Sequence, residues 1–426
     1  MDKNKEFLND FIDFATYAYG VDEPYITYAG AKKTLIGLLF LYLINDRLEL
    51  ANFNNTEDYL KLHSYLSKIF TSGNFDENIL KKTFNLFEKN FELPPGFLEI
   101  DSLKKYLNFD LVIFRENLNL NGLPSDIDCI SVLKDLISRP QSNKDTANTC
   151  LHYTNESLQH LAAGILKVKN NETFMDCCCG MFSSALYNDA ANYIGVELDK
   201  EIASIAAMIL IMSKKKFDIK QENFIDYKNE NVADKILADI PSGTGMPQTE
   251  NRPYGKNVEA YCIENVVKAL KDGGTAVVTC FGSILSKQDS SKKLREALTK
   301  DHLKAVVALP PMNNGTKSNT NLIVLQKNCH AQEIKFINAS NLEIKNRNRM
   351  TLNESDISDI IKCLEGEKTS CLSTSVPVED ILKSDSLSWT PNSYVKGDEK
   401  SKERPIEEID KDLKESYKEL KDLFLS

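Results

Sequence analysis

The sequence predicts an α/β fold in which a mostly parallel, doubly wound sheet follows an all-helical N-terminal region. In residues 1–140, apolar residues recur at spacings of three and four, which is typical of amphipathic helices. Residues 141–345 alternate short apolar runs with helical segments, and this alternation indicates a mostly parallel sheet. Residues 346–426 form a third part, a tail that ends in a charged amphipathic helix. We therefore predict three domains with these boundaries.

Six helices are expected in the first part, separated by short polar, glycine or proline breaks. They cover Phe7–Ala18, Ala29–Leu48, Thr56–Ile69, Glu77–Phe91, Ser102–Leu107 and Cys129–Ile137. None of them carries a pattern that suggests chemistry, so we expect a helical domain packed around its own core. The polar stretch Ser138–Thr149 is expected to be a linker or loop.

Strands and helices are expected to alternate in the second part. The predicted strands are Thr173–Cys177, Tyr193–Glu197, Ile236–Ala238, Thr275–Cys280, Leu303–Leu309 and Asn321–Gln326. The predicted helices are Lys200–Ser213, Val258–Leu270 and Ser291–Thr299. From about Lys335 onward only a few short strand-like pieces precede the tail.

Composition excludes several classes of protein. A net charge of −10 argues against a chain that binds nucleic acid through its overall charge, so any DNA contact needs a local patch or a partner. The N-terminus does not resemble a signal peptide and no apolar run reaches membrane length, so we expect a cytoplasmic protein without a membrane anchor. The ten cysteines are expected to be free thiols. Adjacent cysteines such as Cys177–Cys179 cannot easily close one tetrahedral site, so no metal is expected.

A glycine turn after the first strand and an acid at the end of the second form a nucleotide-binding pattern. Gly180 follows the first strand, where a turn lets a ligand approach the backbone. Glu197 ends the next strand, where a carboxylate can accept hydrogen bonds from ribose hydroxyls. By itself this pair fits NAD and S-adenosylmethionine equally well.

The tetrapeptide Asp239-Ile240-Pro241-Ser242 follows the third predicted strand. It resembles the catalytic motif of the amino-methyltransferases, which methylate exocyclic amines of nucleic-acid bases. That motif reads Asp, Asn or Ser, then Pro or Ile, then Pro, then an aromatic residue. Three positions match, and Ser242 stands where the aromatic ring stacks on the flipped base.

Taken in order, the motifs resemble the methylation subunit of type I restriction-modification systems, a family of DNA adenine methyltransferases. The match runs over roughly residues 145–426 and, more loosely, the N-terminal part. The residues that fit the family's cofactor site are Tyr153, Thr154, Asp176, Cys179, Gly180, Glu197 and Glu222. Segments similar to later family motifs are Leu270–Val278, Lys293–Arg295, Ala305–Pro310, Thr320–Lys327 and Trp389–Val395.

The resemblance implies a methyltransferase fold with a Rossmann-like sheet that binds S-adenosylmethionine and methylates adenine in DNA. Asp239 and the Ile240 carbonyl would hold the amine of a flipped adenine, and Pro241 would fix the turn. A separate specificity subunit would read the DNA sequence and pack against the tail helix, residues 406–425. A second copy of the chain and a restriction subunit are possible further partners.

Departures from the family pattern leave an alternative open. Besides Ser242, Phe182 replaces the second glycine of the cofactor turn and Asn155 replaces a proline beside it. A ring at position 182 could fill the space of the cofactor's methionine part. The alternative is a catalytically inactive scaffold or DNA-binding subunit with a methyltransferase fold. Methylation of RNA or of a protein glutamine is a third possibility, and dinucleotide oxidoreduction would leave residues 239–241 unexplained.

Overall fold

A nine-stranded sheet forms the centre of the protein. The computed structural model describes residues 3–17, 28–53, 55–71, 76–101, 103–104, 107, 127–138, 154–241, 254, 257–312, 318–346, 350–367 and 371–395. The strands are β1 Thr173–Asp176, β2 Asn192–Glu197, β3 Phe217–Gln221, β4 Ala233–Asp239, β5 Leu270–Cys280, β6 Leu303–Ala308, β7 Asn321–Gln326, β8 Glu333–Asn338 and β9 Leu372–Pro377.

The strand order is β3-β2-β1-β4-β5-β7-β6-β8-β9. The first five strands in this order are parallel to one another. Strand β7 is inserted antiparallel between β5 and β6, and β9 is antiparallel to β8. This topology confirms the predicted mostly parallel, doubly wound sheet, because the order reverses between β1 and β4.

Twelve α-helices surround the sheet within the described ranges. They are α1 Lys3–Tyr17, α2 Tyr28–Asp46, α3 Thr56–Thr71, α4 Glu77–Asn90, α5 Cys129–Ser138, α6 Glu156–Leu166, α7 Lys200–Met212, α8 Val258–Ala269, α9 Gly282–Ser286, α10 Ser291–Asp301, α11 Glu354–Leu364 and α12 Val378–Lys383. Among the described residues, no helix is both long enough and apolar enough to cross a lipid bilayer.

Most predicted elements are confirmed within a few residues, and the differences have physical causes. Strand β3 was not predicted because its alternation is short and mostly polar, and helices α6 and α11 were also missed. Strand β5 begins at Leu270, so the predicted start at Thr275 is wrong. The glycine pair before Thr275 continues the ladder, since Lys327 donates its backbone N–H to the Gly274 carbonyl.

Two apolar clusters lie on the two faces of the sheet. One joins the described N-terminal helices to α7 and one sheet face, with residues such as Phe40 and Phe87 in the same cluster as Ile205. The helical part therefore shares its core with the sheet and does not pack alone. The second cluster covers the other face and includes the buried Trp389. The domain boundaries at residues 140 and 345 remain predictions.

Candidate active site

The site lies where β1 and β4 run side by side, at the carboxyl edge of the sheet. Met175 pairs with Ile236 in parallel register, so the two strands end next to each other. Asp176 is the last residue of β1 and Asp239 is the last residue of β4. In an open α/β sheet, ligands bind in the crevice outside the strand ends at such a switch point. The fold thus brings together two carboxylates that are 63 positions apart in the sequence.

Asp239 is held by hydroxyl groups from two other elements. Thr279, its register partner on β5, donates a short hydrogen bond to one carboxylate oxygen. The Thr154 side chain also hydrogen-bonds to the Asp239 carboxylate and favours its charged form. Burial raises the pKa of Asp239 above its usual value, and the two hydroxyls oppose that rise. The next residue, Ile240, is buried, while Pro241 is exposed.

Asp176 is the most deeply buried carboxyl group of the site. Its Oδ2 accepts a hydrogen bond of 2.5 Å from Ser184, and its Oδ1 accepts one of 3.3 Å from the Cys178 backbone. Burial raises the pKa of Asp176 to about 7, and the nearby Asp239 charge adds to the rise while Ser184 opposes it. Near neutral pH this group is therefore divided between its acid and its carboxylate.

The turn after β1 is fixed to the neighbouring strands by backbone hydrogen bonds. Cys177 donates to the Leu237 carbonyl and Cys179 donates to the Val196 carbonyl. Gly180 has a φ of +52°, in the left-handed region where a glycine carries no Cβ penalty. Burial raises the pKa of the Cys177, Cys178 and Cys179 thiols above the usual range, although for Cys178 a hydrogen bond with Cys262 is the larger cause.

Phe182 occupies the position where the family has a second glycine, and its backbone also has a positive φ, +54°. The ring is fully buried and stacks at 6.2 Å from Phe174, with the Tyr193 ring 6.3 Å away. A Cβ at Gly195 would lie only 2.9 Å from the ring, so this glycine makes room for it. The ring therefore packs into the core over β1 and β2, and the expectation that it fills the cofactor's space remains a prediction.

Glu197 ends β2 and reaches across to the turn. Its Oε2 accepts a 3.0 Å hydrogen bond from the Gly180 backbone and its Oε1 accepts one of 2.8 Å from Asp199. The Leu198 backbone is a third donor, and because a carboxylate has about four acceptor positions, Glu197 keeps one for a ribose hydroxyl. Burial raises the pKa of Glu197, and the backbone donors oppose this. Leu198, which follows, is 63% exposed, and Glu222 is exposed beyond β3.

Asn155 has a structural role that explains its difference from the family's proline. It is the N-cap of α6, and its side chain accepts a 2.9 Å hydrogen bond from the Ser157 backbone. Its amide group also donates to the carbonyls of Met312 and Met350, at 3.0 and 3.1 Å. Asn155 therefore begins the helix and hydrogen-bonds to two loops that are distant in the sequence. These contacts fix the position of Thr154 beside Asp239.

Two predicted site residues, Tyr153 and Ser242, lie outside the described residues. The structure adds Ser184 and Thr279, which sequence reasoning missed. Thr279 could have been found by placing the ends of β4 and β5 in register. Ser184 carries no local signal, because its partner Asp176 is eight residues away across a turn.

Comparison with known proteins shows the family to which this chain belongs. The sequence model described as N-6 DNA Methylase matches residues 136–403, which is more than half of the chain. The chain belongs to the N-6 DNA methylase family. The strand order and the two carboxylates at the switch point described above lie within the matched segment.

Individual relatives agree with this assignment. The chain is 26% identical over 201 residues to the Type I restriction enzyme MpnII methylase subunit of Mycoplasma pneumoniae, covering 46% of this chain and 35% of that protein. The matched part thus spans about a third of that relative's length. A type I restriction-modification methyltransferase subunit from Streptococcus thermophilus superposes with a TM-score of 0.73 at 16% identity, covering 92% of this chain and 100% of the other.

A further solved structure, a modification subunit of a putative type I restriction enzyme from Vibrio vulnificus, has a TM-score of 0.61 at 12% identity. It covers 91% of this chain and 96% of its own. At such low identity these two structures show the fold alone. They confirm the predicted methyltransferase-type α/β sheet with helices before it.

Membership of the N-6 DNA methylase family confirms S-adenosylmethionine as the expected cofactor, and the described residues fit it. The turn at Gly180 leaves its backbone close to the crevice, and Glu197 retains acceptor capacity for a ribose hydroxyl. Which residues contact the cofactor remains a prediction.

Replacing Phe182 with glycine tests whether its ring serves the core. We expect Phe182→Gly to lower the free energy of unfolding by about 2–4 kcal/mol, because the buried ring is lost while only backbone strain is relieved. Urea unfolding measures this change, with Phe182→Leu as a milder control that keeps an apolar side chain. A variant that is as stable as the wild type and binds S-adenosylmethionine more tightly would show instead that the ring obstructs the cofactor.

The buried Asp176 predicts a specific dependence of stability on pH. Its pKa is raised from 3.8 to about 7 in the folded protein, so folding favours the protonated form. Its contribution to stability is present below about pH 4 and is lost as pH rises towards 7. Relative to Asp176→Asn, the wild type should therefore lose up to about 1.4 kcal/mol per pH unit between pH 5 and 7. Urea unfolding across this range measures the difference, and parallel curves for both proteins would contradict the burial of the charge.

Proposed function

We propose that this chain is a DNA adenine methyltransferase, acting as the methylation subunit of a type I-like restriction-modification system. The observation that carries this proposal is the position of Asp239-Ile240-Pro241 at the carboxyl end of β4, directly beside the cofactor-type turn after β1. Family membership supplies the reaction class, N-6 methylation of DNA. The Mycoplasma relative, described as a type I restriction enzyme methylase subunit, suggests the system.

The amine of adenine is a poor nucleophile because its lone pair is delocalised into the ring. Asp239 and the Ile240 carbonyl can both accept hydrogen bonds from this amine, which favours a tetrahedral nitrogen with an available lone pair. Thr279 and Thr154 keep the carboxylate in place and favour its charged, accepting form. Most of the rate enhancement would come from positioning the two reactants, which can supply several kcal/mol.

S-adenosylmethionine supplies an electrophilic methyl group on a sulfonium. In the proposed site, Glu197 accepts a ribose hydroxyl and the exposed Leu198 offers apolar surface to the adenine ring. Asp176 lies under the turn, where its carboxylate favours a cationic ligand. Tyr153, Thr154, Cys179, Gly180 and Glu222 are further proposed cofactor residues.

Access to the amine of a paired adenine requires that the base leave the duplex and enter a pocket. The chain has a net charge of −10, so its overall field repels the phosphate backbone. We therefore assign part of DNA binding to a partner protein that carries the sequence specificity. A second copy of the chain and a restriction subunit complete the proposed assembly.

Asp239→Asn tests the proposed chemistry. The amide is nearly isosteric but is a weaker acceptor, so kcat for methyl transfer should fall by about a hundredfold or more, while cofactor affinity changes little. Radiolabelled methyl transfer to DNA in the presence of the specificity subunit measures the rate, and calorimetry measures S-adenosylmethionine binding. Asp234→Asn is the matched control, because Asp234 lies near the opposite end of β4 and bonds to Lys271.

Full activity of Asp239→Asn would show that the catalytic group lies elsewhere. An inactive wild type that also fails to bind S-adenosylmethionine would instead favour the scaffold alternative. That alternative was based on Asn155, Phe182 and Ser242. The first two also have structural roles, as a helix cap and a core side chain, which account for their presence without loss of function.

We further propose that residues 406–425 form the helix that binds the specificity subunit. In the sequence, one apolar stripe runs along an otherwise charged segment, which suits packing against partner helices. The stripe consists of Ile406, Ile409, Leu413, Tyr417, Leu420 and Phe424.

Charges placed on this stripe test the partner assignment. The double variant Leu413→Glu/Leu420→Glu should abolish co-purification with a co-expressed specificity subunit, because two carboxylates would be desolvated in the interface. S-adenosylmethionine binding should stay unchanged. The control Lys411→Glu/Lys418→Glu places two carboxylates on the polar side of the predicted helix and changes the net charge more than the stripe variant does. Retention of the partner by the stripe variant would place the interface elsewhere.

A further inference from the structure

Gln159 is a buried polar residue in the first turn of α6 that no part of the proposed chemistry uses. Its side chain is only 2% exposed. Its Nε2 donates to the Thr154 carbonyl at 3.2 Å and to the Ser183 hydroxyl at 2.6 Å. One amide group therefore connects the segment before α6 to the turn after β1. These two partners are 29 positions apart in the sequence.

Each hydrogen-bond partner of Gln159 is connected to one of the two carboxylates of the site. Thr154, whose carbonyl accepts from Gln159, uses its side chain to bond to Asp239. Ser183 precedes Ser184, whose hydroxyl donates to Asp176 at 2.5 Å. One residue, Thr154, thus connects the Gln159 amide to Asp239, and two consecutive residues, Ser183 and Ser184, connect it to Asp176. A shift of this amide would move both hydroxyl donors.

The cost of burying Gln159 argues against a role in packing alone. Its Oε1 has no hydrogen-bond partner among the described residues, and a buried unsatisfied acceptor is unfavourable. A methionine would fill the same volume without that penalty. A small cavity of about 10 Å³ adjoins the residue and is also lined by the charged Lys134 and Glu156. Gln159 therefore stands at a position where an apolar side chain would satisfy the packing.

We propose that Gln159 is a positioning residue that holds Thr154 and Ser183–Ser184 at a fixed separation and so sets the placement of Asp239 and Asp176. This inference rests on the proposed methyl-transfer function for its catalytic consequence, but the placement itself is independent of activity. Gln159 touches neither the proposed base site nor the reacting atoms. Its effect passes through the two hydroxyl donors.

Titration of the two carboxyl groups tests the placement without any catalytic assay. The full-length protein would be labelled with ¹³C at the aspartate carboxyl carbons, and Asp176→Asn and Asp239→Asn would assign the two resonances. In Gln159→Met both donors loosen, so both carboxyl groups should titrate about 0.7 pH unit higher, a fivefold change in the protonation equilibrium. The Asp289 resonance, at the start of α10, serves as the internal reference. The groups that face Asp176 and Asp239 are Glu197 and the hydroxyls of Thr279, Thr154 and Ser184.

The matched control is Gln326→Met, which removes a glutamine amide at the opposite edge of the sheet, where it donates to the Gly273 carbonyl. It should leave both titrations unchanged. Unchanged titrations in Gln159→Met, in a protein that unfolds at the same urea concentration as the wild type, would overturn the proposal. So would equal shifts at Asp289, because they would show a general loosening of the structure.

Kinetics separate this proposal from the proposed function. With methyl transfer established for the wild type, Gln159→Met should lower kcat about five- to tenfold with a smaller change in KM for DNA. In a Thr154→Val background the same substitution should have a reduced effect, since the Thr154 hydroxyl is then already absent. An inactive wild type would refute the proposed function, while the carboxyl titrations would still decide the role of Gln159.

Discussion

The parallel pairing of β1 with β4 is the constraint on which the site depends. Because the strand order reverses there, the ends of two strands far apart in the sequence meet at one crevice. The pairing also positions the surrounding residues. The turn after β1 hydrogen-bonds to β4 and β2, and the pairing of β5 with β4 places Thr279 opposite Asp239. A register change of one residue would turn Asp239 to the other face of the sheet.

The second constraint is the burial of the Asp176 and Asp239 carboxyl groups, and hydroxyl donors partly offset its cost. Two carboxylates side by side in a crevice disfavour ionisation, both through desolvation and through mutual repulsion. Ser184, Thr279 and Thr154 each donate to one of them, and no lysine or arginine does so among the described residues. These neutral donors hold the carboxyl groups in place and favour their charged forms without adding a positive charge. The site therefore remains able to favour a cationic cofactor and to accept hydrogen bonds from an amine.

The sequence predicts the sheet, the order of most elements and the two strand-end acids, because apolar periodicity and glycine turns are local signals. It does not predict β3, whose short polar alternation gives little signal, nor the hydroxyl donors, whose partners are set by tertiary contacts. It also does not predict the packing of Phe182 or the capping role of Asn155. Their identities suggested a damaged cofactor site, yet burial and hydrogen bonding show a core ring and a helix cap. The residue type alone does not predict whether a side chain in a turn points into the core or towards the crevice.

The effect of a departure from a motif therefore depends on whether the side chain at that position packs in the core or contacts a ligand. At Phe182 the side chain is buried in the core, and Gly195 leaves room for its ring. Ser242 is a different case, since the aromatic ring that it replaces would contact the substrate itself. Base–aromatic stacking is worth about 1–3 kcal/mol, or roughly 5- to 150-fold in rate. Such a loss would slow the proposed methyl transfer without removing the acceptors at Asp239 and Ile240, so the proposed function predicts a slow enzyme.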